Sequence, residues 1–351
     1  MKILVTGGAG FIGSNFIRYC FNRSSNYEII NYDKLTYAGN LKNLEEFNNN
    51  KRYHFIKGDI CNSDLIRQVL NEFSPRYIVN FAAESHVDRS ILEPKAFINT
   101  NILGTFNLLT EANKYFHNLN DIQKKRFKLL HISTDEVYGS LKENDPAFTE
   151  DSKYYPNNPY SASKAGSDHL ARSFYQTYKL PVIISNACNN YGPYQSIEKF
   201  IPLIIFKATN NKQIPIYGDG KQVRDWLYVE DHCEAIITIL EKSNPGEIYN
   251  IGGSNEVNNL ELLEFICNYI DKKFDIDSKS NKDKSSNLIN FIKDRPGHDR
   301  RYATNPIKIK EKLGWEAKTS FESGIQKTVD WYLKNKEWIE DQRQNYLNIN
   351  Y

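Results

Sequence analysis

The chain has 351 residues, 40% hydrophobic and 25% charged, which is enough apolar material for one or two globular domains with a sizeable core. Its 45 basic and 43 acidic residues leave a formal net charge of +2, too weak a field to draw nucleic acid or an anionic membrane. Cys20, Cys61, Cys188, Cys233 and Cys267 form no Cys-x-x-Cys pair and read as reduced thiols of a cytoplasmic protein, and no HExxH or Cys/His cluster has metal-ligand spacing.

"MKILVTGG" begins at once as a strand, which leaves no room for a signal peptide, and no apolar run is long enough to span a bilayer. After "KILVT" comes a helical pattern from Phe11 to Phe21. The runs "YEIINY", "YHFIK", "YIVNFAA", "FKLLHIS" and "PVIIS" repeat the strand texture, with amphipathic segments at Asp64–Phe73, Ala96–Tyr115 and Ser161–Tyr178 between them. Short apolar runs separated by helices predict an α/β fold, a doubly wound parallel sheet covered on both faces. Beyond Asn186, "NNYGPYQSIEKFIPLI" and "NNKQIPIYGDGKQVRDW" have the composition of loops over a ligand site. A helix at about Val229–Leu240 and a strand near "EIYNIGG" are expected to return to the sheet, and "SKSNKDKSSN" at 278–287 reads as a solvated loop. The division that follows is a nucleotide-binding domain over 1–187 plus roughly 226–252. A smaller interleaved C-terminal α/β lobe takes 188–225 plus 253–335, with a polar tail at 336–351.

"VTGGAGFIGS" places Gly7, Gly10 and Gly13 between the first strand and the first helix. Glycine there permits a tight turn and lets backbone N–H groups approach a pyrophosphate at the helix N-terminus. Asp33, ending the second strand, can accept hydrogen bonds from an adenosine ribose and would repel a 2′-phosphate, which favours NAD over NADP; Lys34 could soften that repulsion. Asp59, in "KGDI" after the third strand, is placed to meet the adenine.

Two further patterns carry chemistry. Tyr160 and Lys164 in "YSASK" lie four apart on one helix face, where an ammonium beside a phenol could lower its pKa from about 10 and make it a base for an alcohol proton. Ser133 or Thr134 would hydrogen-bond the same oxygen. In "HISTDEVYG", Asp135 and Glu136 follow directly on an apolar strand. A bare Asp-Glu pair after a strand is ordinarily a solvated turn or a helix cap. Beside a glycine turn and a Tyr/Lys pair, it suits a site needing one ionised and one protonated carboxyl, because close desolvated acids push their pKa values apart.

"TGGAGFIGS", Tyr160/Lys164 and "STDEVYG" together resemble the extended short-chain dehydrogenase/reductases acting on nucleotide sugars. "DKLTYAGN", "AAESHVDRSI", "SASKAGSDHL", "NNYGPYQ", "PIYGDGKQVRDWLYVEDH" and "DRPGHDRRYA" resemble, in order and across nearly the whole chain, the dTDP-glucose 4,6-dehydratase family. The resemblance implies a Rossmann-type fold, NAD as cofactor and dTDP-glucose as substrate. It also implies oxidation at C4, loss of water across C5 and C6, and return of hydride to C6. Glu136 would be the C5 base, Asp135 the C6 acid and Thr134 the group orienting the C4 oxygen, with Tyr160 and Lys164 completing the catalytic set. Phe11, Ile12, Leu35, Thr36, Ile60, Phe81, Ala82, Ala83, Thr100 and Asn190 would join the cofactor site. Ser85, Asn189, Lys199, Phe200, Pro215, Tyr217, Arg224, Asn259, Arg295 and His298 would hold the nucleotide sugar, the cations facing its phosphates. His86 reads as structural.

The family also dimerises through the Tyr160 helix and its neighbour at 96–115, so a homodimer is expected. Ala187 and Cys188 depart from the usual Cys-Ser, and the loop from Gly139 to Phe148 is shorter than in many relatives. Rival readings are a UDP-glucose 4,6-dehydratase, a nucleotide-sugar epimerase, which has no use for both acids, and a non-catalytic NAD-binding protein.

Overall fold

The structure is a computed structural model that describes residues 1–274 and 284–349. Six strands and their crossovers come first: β1 (Lys2–Thr6), β2 (Glu28–Asp33), β3 (Tyr53–Lys57), β4 (Tyr77–Asn80), β5 (Lys128–Thr134) and β6 (Val182–Ala187). There follow β7 (Asn189–Tyr191), β8 (Ile214–Tyr217), β9 (Val223–Tyr228), β10 (Ile248–Ile251), β11 (Glu256–Asn258) and β12 (Ile289–Ile292). Seven of them form one sheet in the order β10-β6-β5-β4-β1-β2-β3, parallel throughout. This is the doubly wound α/β arrangement expected from the sequence, and its order reverses between β1 and β4.

Both faces of the sheet are buried, which explains why its strands are continuous apolar runs. Ile3, Val5, Ile29, Val79 and Leu130 face one core with the Phe11–Arg23 and Val229–Lys242 helices. Their neighbours Leu4, Ile30, Ile78 and Leu129 face the other, where Ala171 and Phe174 of the Pro159–Tyr178 helix pack. That helix has Pro159 in its first turn and a capping box, with Asn158 accepting from Ser161 N at 2.9 Å. A third core, around Ile204, Trp226, Leu262, Ile266 and Val329, supports the smaller sheets β11-β9-β7 and β12-β8.

Several elements differ from expectation. The segment predicted as one helix over Ala96–Tyr115 is Pro94–Phe97, a π-helical turn over Ile98–Gly104 and a helix over Thr105–Asn118. A Cβ on Gly104 would stand 2.7 Å from the Ile60 side chain, so glycine permits the close approach at that turn. The stretch expected to be loop after Asn210 contains β8 and β9. Their polar and proline residues hid the strand pattern, Pro215 being tolerable because its sheet has only two strands. Residues 278–283 of the expected solvated loop lie outside the described residues, and Ser285–Leu288 is a short 3-10 turn. Residues Lys336–Ile349 are helical. Among the described residues no helix is long and apolar enough to cross a membrane.

Candidate active site

A cleft partly open to solvent lies beyond the C-terminal ends of β1, β2, β4 and β5. Its floor is the glycine turn. Gly7 has φ +70°, and a Cβ there would stand 2.7 Å from Ala82 N; one on Gly13 would meet Gly7 O at 2.4 Å. Gly10 caps the Phe11–Arg23 helix with no side-chain acceptor, so the first-turn amides of that helix are left for a ligand.

Asp33 is buried at the rim, and both its oxygens already accept backbone amides: Oδ2 from Ala9 at 2.9 Å and Oδ1 from Leu35 at 2.7 Å. Burial pushes its carboxyl up, and those two bonds oppose the rise. Lys34, the cation that could have accommodated a 2′-phosphate, is instead paired with Asp59 at 2.7 Å. A glycine cradle, open amides and a ribose-facing acid without a free neighbouring cation fit NAD. Thr36, Ile60, Phe81, Ala82, Ala83, Thr100, Tyr160 and Lys164 line the same cleft. Leu35 and Asn190 stand behind it. Leu35 holds φ +56° on the Asp33 turn, and the Asn190 amide is engaged by His232 Nδ1 at 2.8 Å and Cys188 O at 2.9 Å.

At the inner end Thr134 leaves β5 and caps the 3-10 turn Asp135–Tyr138, accepting from Glu136 N at 3.3 Å. The turn directs two neighbouring carboxyls inward. Asp135 is 1% exposed, and burial together with the nearby Glu136 charge pushes its pKa up to about 8. Its Oδ2 accepts from Thr304 Oγ1 at 3.0 Å, and its Oδ1 lies 3.4 Å from Thr134 Oγ1. Burial raises Glu136 as well, and the Arg295, Arg224 and Lys199 charges offset only part of that rise. Both acids are therefore raised, and it is Glu136 that has three cations working against the shift.

Tyr160 shares a hydrogen bond with Thr134, and burial plus the Glu136 charge holds its phenol well above 10. Lys164 Nζ donates to Ile132 O at 2.7 Å, and burial lowers its pKa to about 8. Both side chains line the cleft with Lys164 anchored to the strand, but the lowered phenol pKa expected of the pair is not seen, since burial and the Glu136 charge outweigh the one lowering contact, from Thr134.

Of the expected sugar-binding cations only Lys199 lines the cleft, its Nζ donating to Ser85 O at 3.1 Å; Arg224, Arg295 and His298 lie outside that lining, the first two near enough to act on Glu136. Arg224, 6% exposed, donates to the carbonyls of Val223 and Asp299 at 2.8 and 3.0 Å and lies over the Tyr302 ring at 4.3 Å. Arg295 pairs with Asp88 at 3.1 Å, and Tyr217 donates to the same carboxylate at 3.3 Å. His298 contacts Asp294 at 2.6 Å. A buried guanidinium held by carbonyls keeps charge to offer an anion. Asn189 leaves its buried side-chain oxygen without a partner. Phe200 opens the helix that follows Lys199, while Pro215 lies in β8 and Asn259 donates to Gln222 at 3.4 Å, both further back.

Sequence reasoning missed the support behind these groups. Thr6 Oγ1 donates to Asn80 Oδ1 at 2.6 Å, and Asn80 Nδ2 to His131 Nδ1 at 3.1 Å. His131 Nε2 faces Ser167 Oγ at 3.1 Å and Asp168 Oδ1 at 3.3 Å, and Asp168 Oδ2 accepts from Ser133 at 2.7 Å and Tyr154 at 3.0 Å. The chain crosses β1, β4 and β5 to the helix bearing Tyr160. Burial lowers the His131 pKa, so the ring is neutral. Asp168 is also the charge that resists the fall in the Lys164 pKa. Thr304 was missed as well, since only folding brings it to Asp135. Cys188, at the departure noted above, is buried beside Asp225 and Asp135, and its thiol is pushed well above 9. Among the described residues no three His, Cys, Asp or Glu gather as a metal site.

The family model described as GDP-mannose 4,6 dehydratase matches residues 4–328 of this chain. A dTDP-glucose 4,6-dehydratase from Escherichia coli is 52% identical over 346 residues, 96% of this chain and 95% of its own length. The crystal structure of a dTDP-glucose 4,6-dehydratase from Streptomyces venezuelae with NAD and TYD bound superposes with a TM-score of 0.88 at 41% identity, over 97% of this chain and 100% of that one. One from Bacillus anthracis in complex with NAD gives 0.86 at 46% identity, over 97% and 99%.

Proposed function

The chain belongs to the GDP-mannose 4,6 dehydratase family, and from that premise we propose that it converts dTDP-glucose to dTDP-4-keto-6-deoxyglucose with NAD as resident cofactor. The observation that carries the reading is the adjacent Asp135–Glu136 pair beside Tyr160, with the buried Asp135 carboxyl raised to about 8 and the Arg295, Arg224 and Lys199 charges acting on Glu136.

When bound, NAD supplies a hydride acceptor for C4, a hydride donor for C6 and a positive charge beside Tyr160. The glycine turn and Asp33 hold its pyrophosphate and adenosine ribose. Tyr160 takes the O4 proton, with Thr134 orienting that oxygen and the Lys164 ammonium favouring the phenolate. A carbonyl at C4 acidifies C5–H, since the resulting carbanion spreads onto the oxygen. Glu136 removes that proton, Asp135 protonates the departing C6 hydroxyl, and the C6 oxygen leaves as water. Glu136 later protonates C5, after its carboxyl has exchanged its proton with solvent. This cycle leaves one extra proton on Tyr160 and one missing from Asp135. Thr134, bonded to Tyr160 and 3.4 Å from Asp135, stands where that proton can be passed back.

Lys199, Arg224 and Arg295 face the diphosphate. A homodimer fits the apolar side chains exposed on the elements near the Tyr160 helix, with Leu92 at 85%, Ile98 at 43%, Leu103 at 50% and Phe106 at 44%. An epimerase of the same fold needs the Tyr/Lys pair and leaves Asp135 without a task.

The test is incubation with dTDP-glucose and, separately, UDP-glucose in deuterated water. The expected product is a 4-keto-6-deoxy sugar carrying deuterium at C5, formed much faster from the dTDP sugar. A 4-epimer, or no turnover with NAD present, would overturn the assignment; preference for UDP-glucose would overturn the substrate alone.

A further inference from the structure

The helix Lys336–Ile349, which the sequence offers only as a polar tail, reaches the cofactor cleft. Trp338 anchors it. Its ring packs against Trp331 at 5.2 Å and Tyr194 at 5.9 Å, and its Nε1 donates to Asn43 Oδ1 at 2.8 Å. One turn on, Asp341 pairs with Lys42 and accepts from Asn40 Nδ2 at 3.1 Å. Asn40 and Asn43 in turn grip the phosphate turn, since Asn40 N and Asn43 Nδ2 each donate to Ala9 O at 3.0 Å. Ala9 N holds Asp33. A continuous set of hydrogen bonds therefore links the C-terminal helix to the acid assigned to the adenosine ribose.

Gln342 follows Asp341 and lines the cleft itself. It is 8% exposed, yet its amide is not among the fully buried polar groups left unpaired, so it opens on the cleft with two donors and an acceptor to offer a ligand.

We propose that Gln342 is a cofactor-binding residue, its amide hydrogen-bonding the adenosine ribose and pyrophosphate half of NAD, and that the C-terminal helix is the clasp that presents it. The inference rests on the reading of this cleft as the NAD site. It adds a residue more than three hundred positions beyond the glycine turn to that site, from an element lying outside the βαβ units that build it.

The experiment is calorimetric titration of cofactor-free protein with NAD, ADP, NMN and dTDP, comparing wild type with Gln342→Leu, which keeps the volume and removes the amide. NAD and ADP should each weaken by about tenfold, the worth of one good hydrogen bond, while NMN and dTDP binding and the melting temperature stay unchanged. Gln342→Glu should weaken ADP further, because it sets a carboxylate near the diphosphate. Trp338→Ala, with the amide present and the clasp loosened, should also reduce ADP affinity. Unchanged ADP affinity in Gln342→Leu would overturn the proposal even if NAD weakened. A wild type that binds neither NAD nor ADP would remove the cofactor reading and this one together. Turnover of a different sugar with the same ADP loss would overturn the substrate assignment and leave Gln342 in place.

Discussion

Replacing Asp135 by Asn should stabilise the protein while disabling it, and the stabilisation should grow with pH. In the fold, the Asp135 carboxyl is held at about 8 against an ordinary value of 3.8, mainly by burial and then by Glu136. Below pH 4 it is protonated both folded and unfolded, and it costs nothing. Between those values the unfolded chain releases the proton and the native state keeps it, so stability falls as pH rises through the window and the full cost is reached above about 8. At 1.36 kcal/mol per unit, a displacement of roughly four units corresponds to about 5 kcal/mol, and half of that if local relaxation shares the load. Asparagine keeps the shape and can still accept from Thr304 without carrying the charge. Chemical denaturation of both proteins from pH 4 to pH 9 should show curves that meet at the acid end and separate by ~2–5 kcal/mol at the alkaline end, with dehydration reduced by at least about 100-fold. Parallel curves, or a less stable variant at pH 8.5, would mean that Asp135 is ionised in the fold and is no proton donor.

Thr304→Val removes the hydrogen bond that favours the Asp135 carboxylate, worth about 1.5 kcal/mol, so the carboxyl should titrate about one unit higher; Thr304→Ser should leave it in place. The infrared carboxyl band that disappears in Asp135→Asn reports this directly. Asp168→Asn should act the opposite way on the other proton-handling group. Without the charge that holds Lys164 up, the ammonium is lost at lower pH, and the alkaline limb of the rate profile should move down while Ser133 and Tyr154 keep a hydrogen-bonding partner. An unmoved limb would separate Asp168 from Lys164.

The sheet was legible because strands buried on both faces admit few polar residues, so "KILVT" and "FKLLHIS" stand out against amphipathic helices. The glycine turn was legible for the same local reason, each glycine being demanded by backbone within a few residues or by β4. What escaped was set by distance along the chain. Thr304 meets Asp135 only because β5 and the segment after β12 converge, and the Lys34–Asp59 pair depends on β2 lying beside β3. Strand β9 was obscured by Arg224 and Asp225, charges a buried strand tolerates because one is held by the carbonyls of Val223 and Asp299 and the other is capped by the amides of Gly253 and Asn255. The C-terminal helix has too few apolar positions to announce a packed face, and its one tryptophan does most of the anchoring.

Asp33 also bears on how this protein could change. In many dinucleotide sites the acid at the end of the second strand can be exchanged to admit a different cofactor. Here the same carboxylate ties down Ala9 on one side and Leu35 on the other, and Gly39 leaves no room for a larger neighbour, since a Cβ there would stand 2.9 Å from Asp33 Oδ1. Any mutation that relaxes the preference at this position also releases the loop that shapes the phosphate cradle. Replacing Asp33 to admit a 2′-phosphate would therefore free the Ala9 and Leu35 amides as well as remove the repelling charge, so one substitution would act on the ribose and on the phosphate turn together.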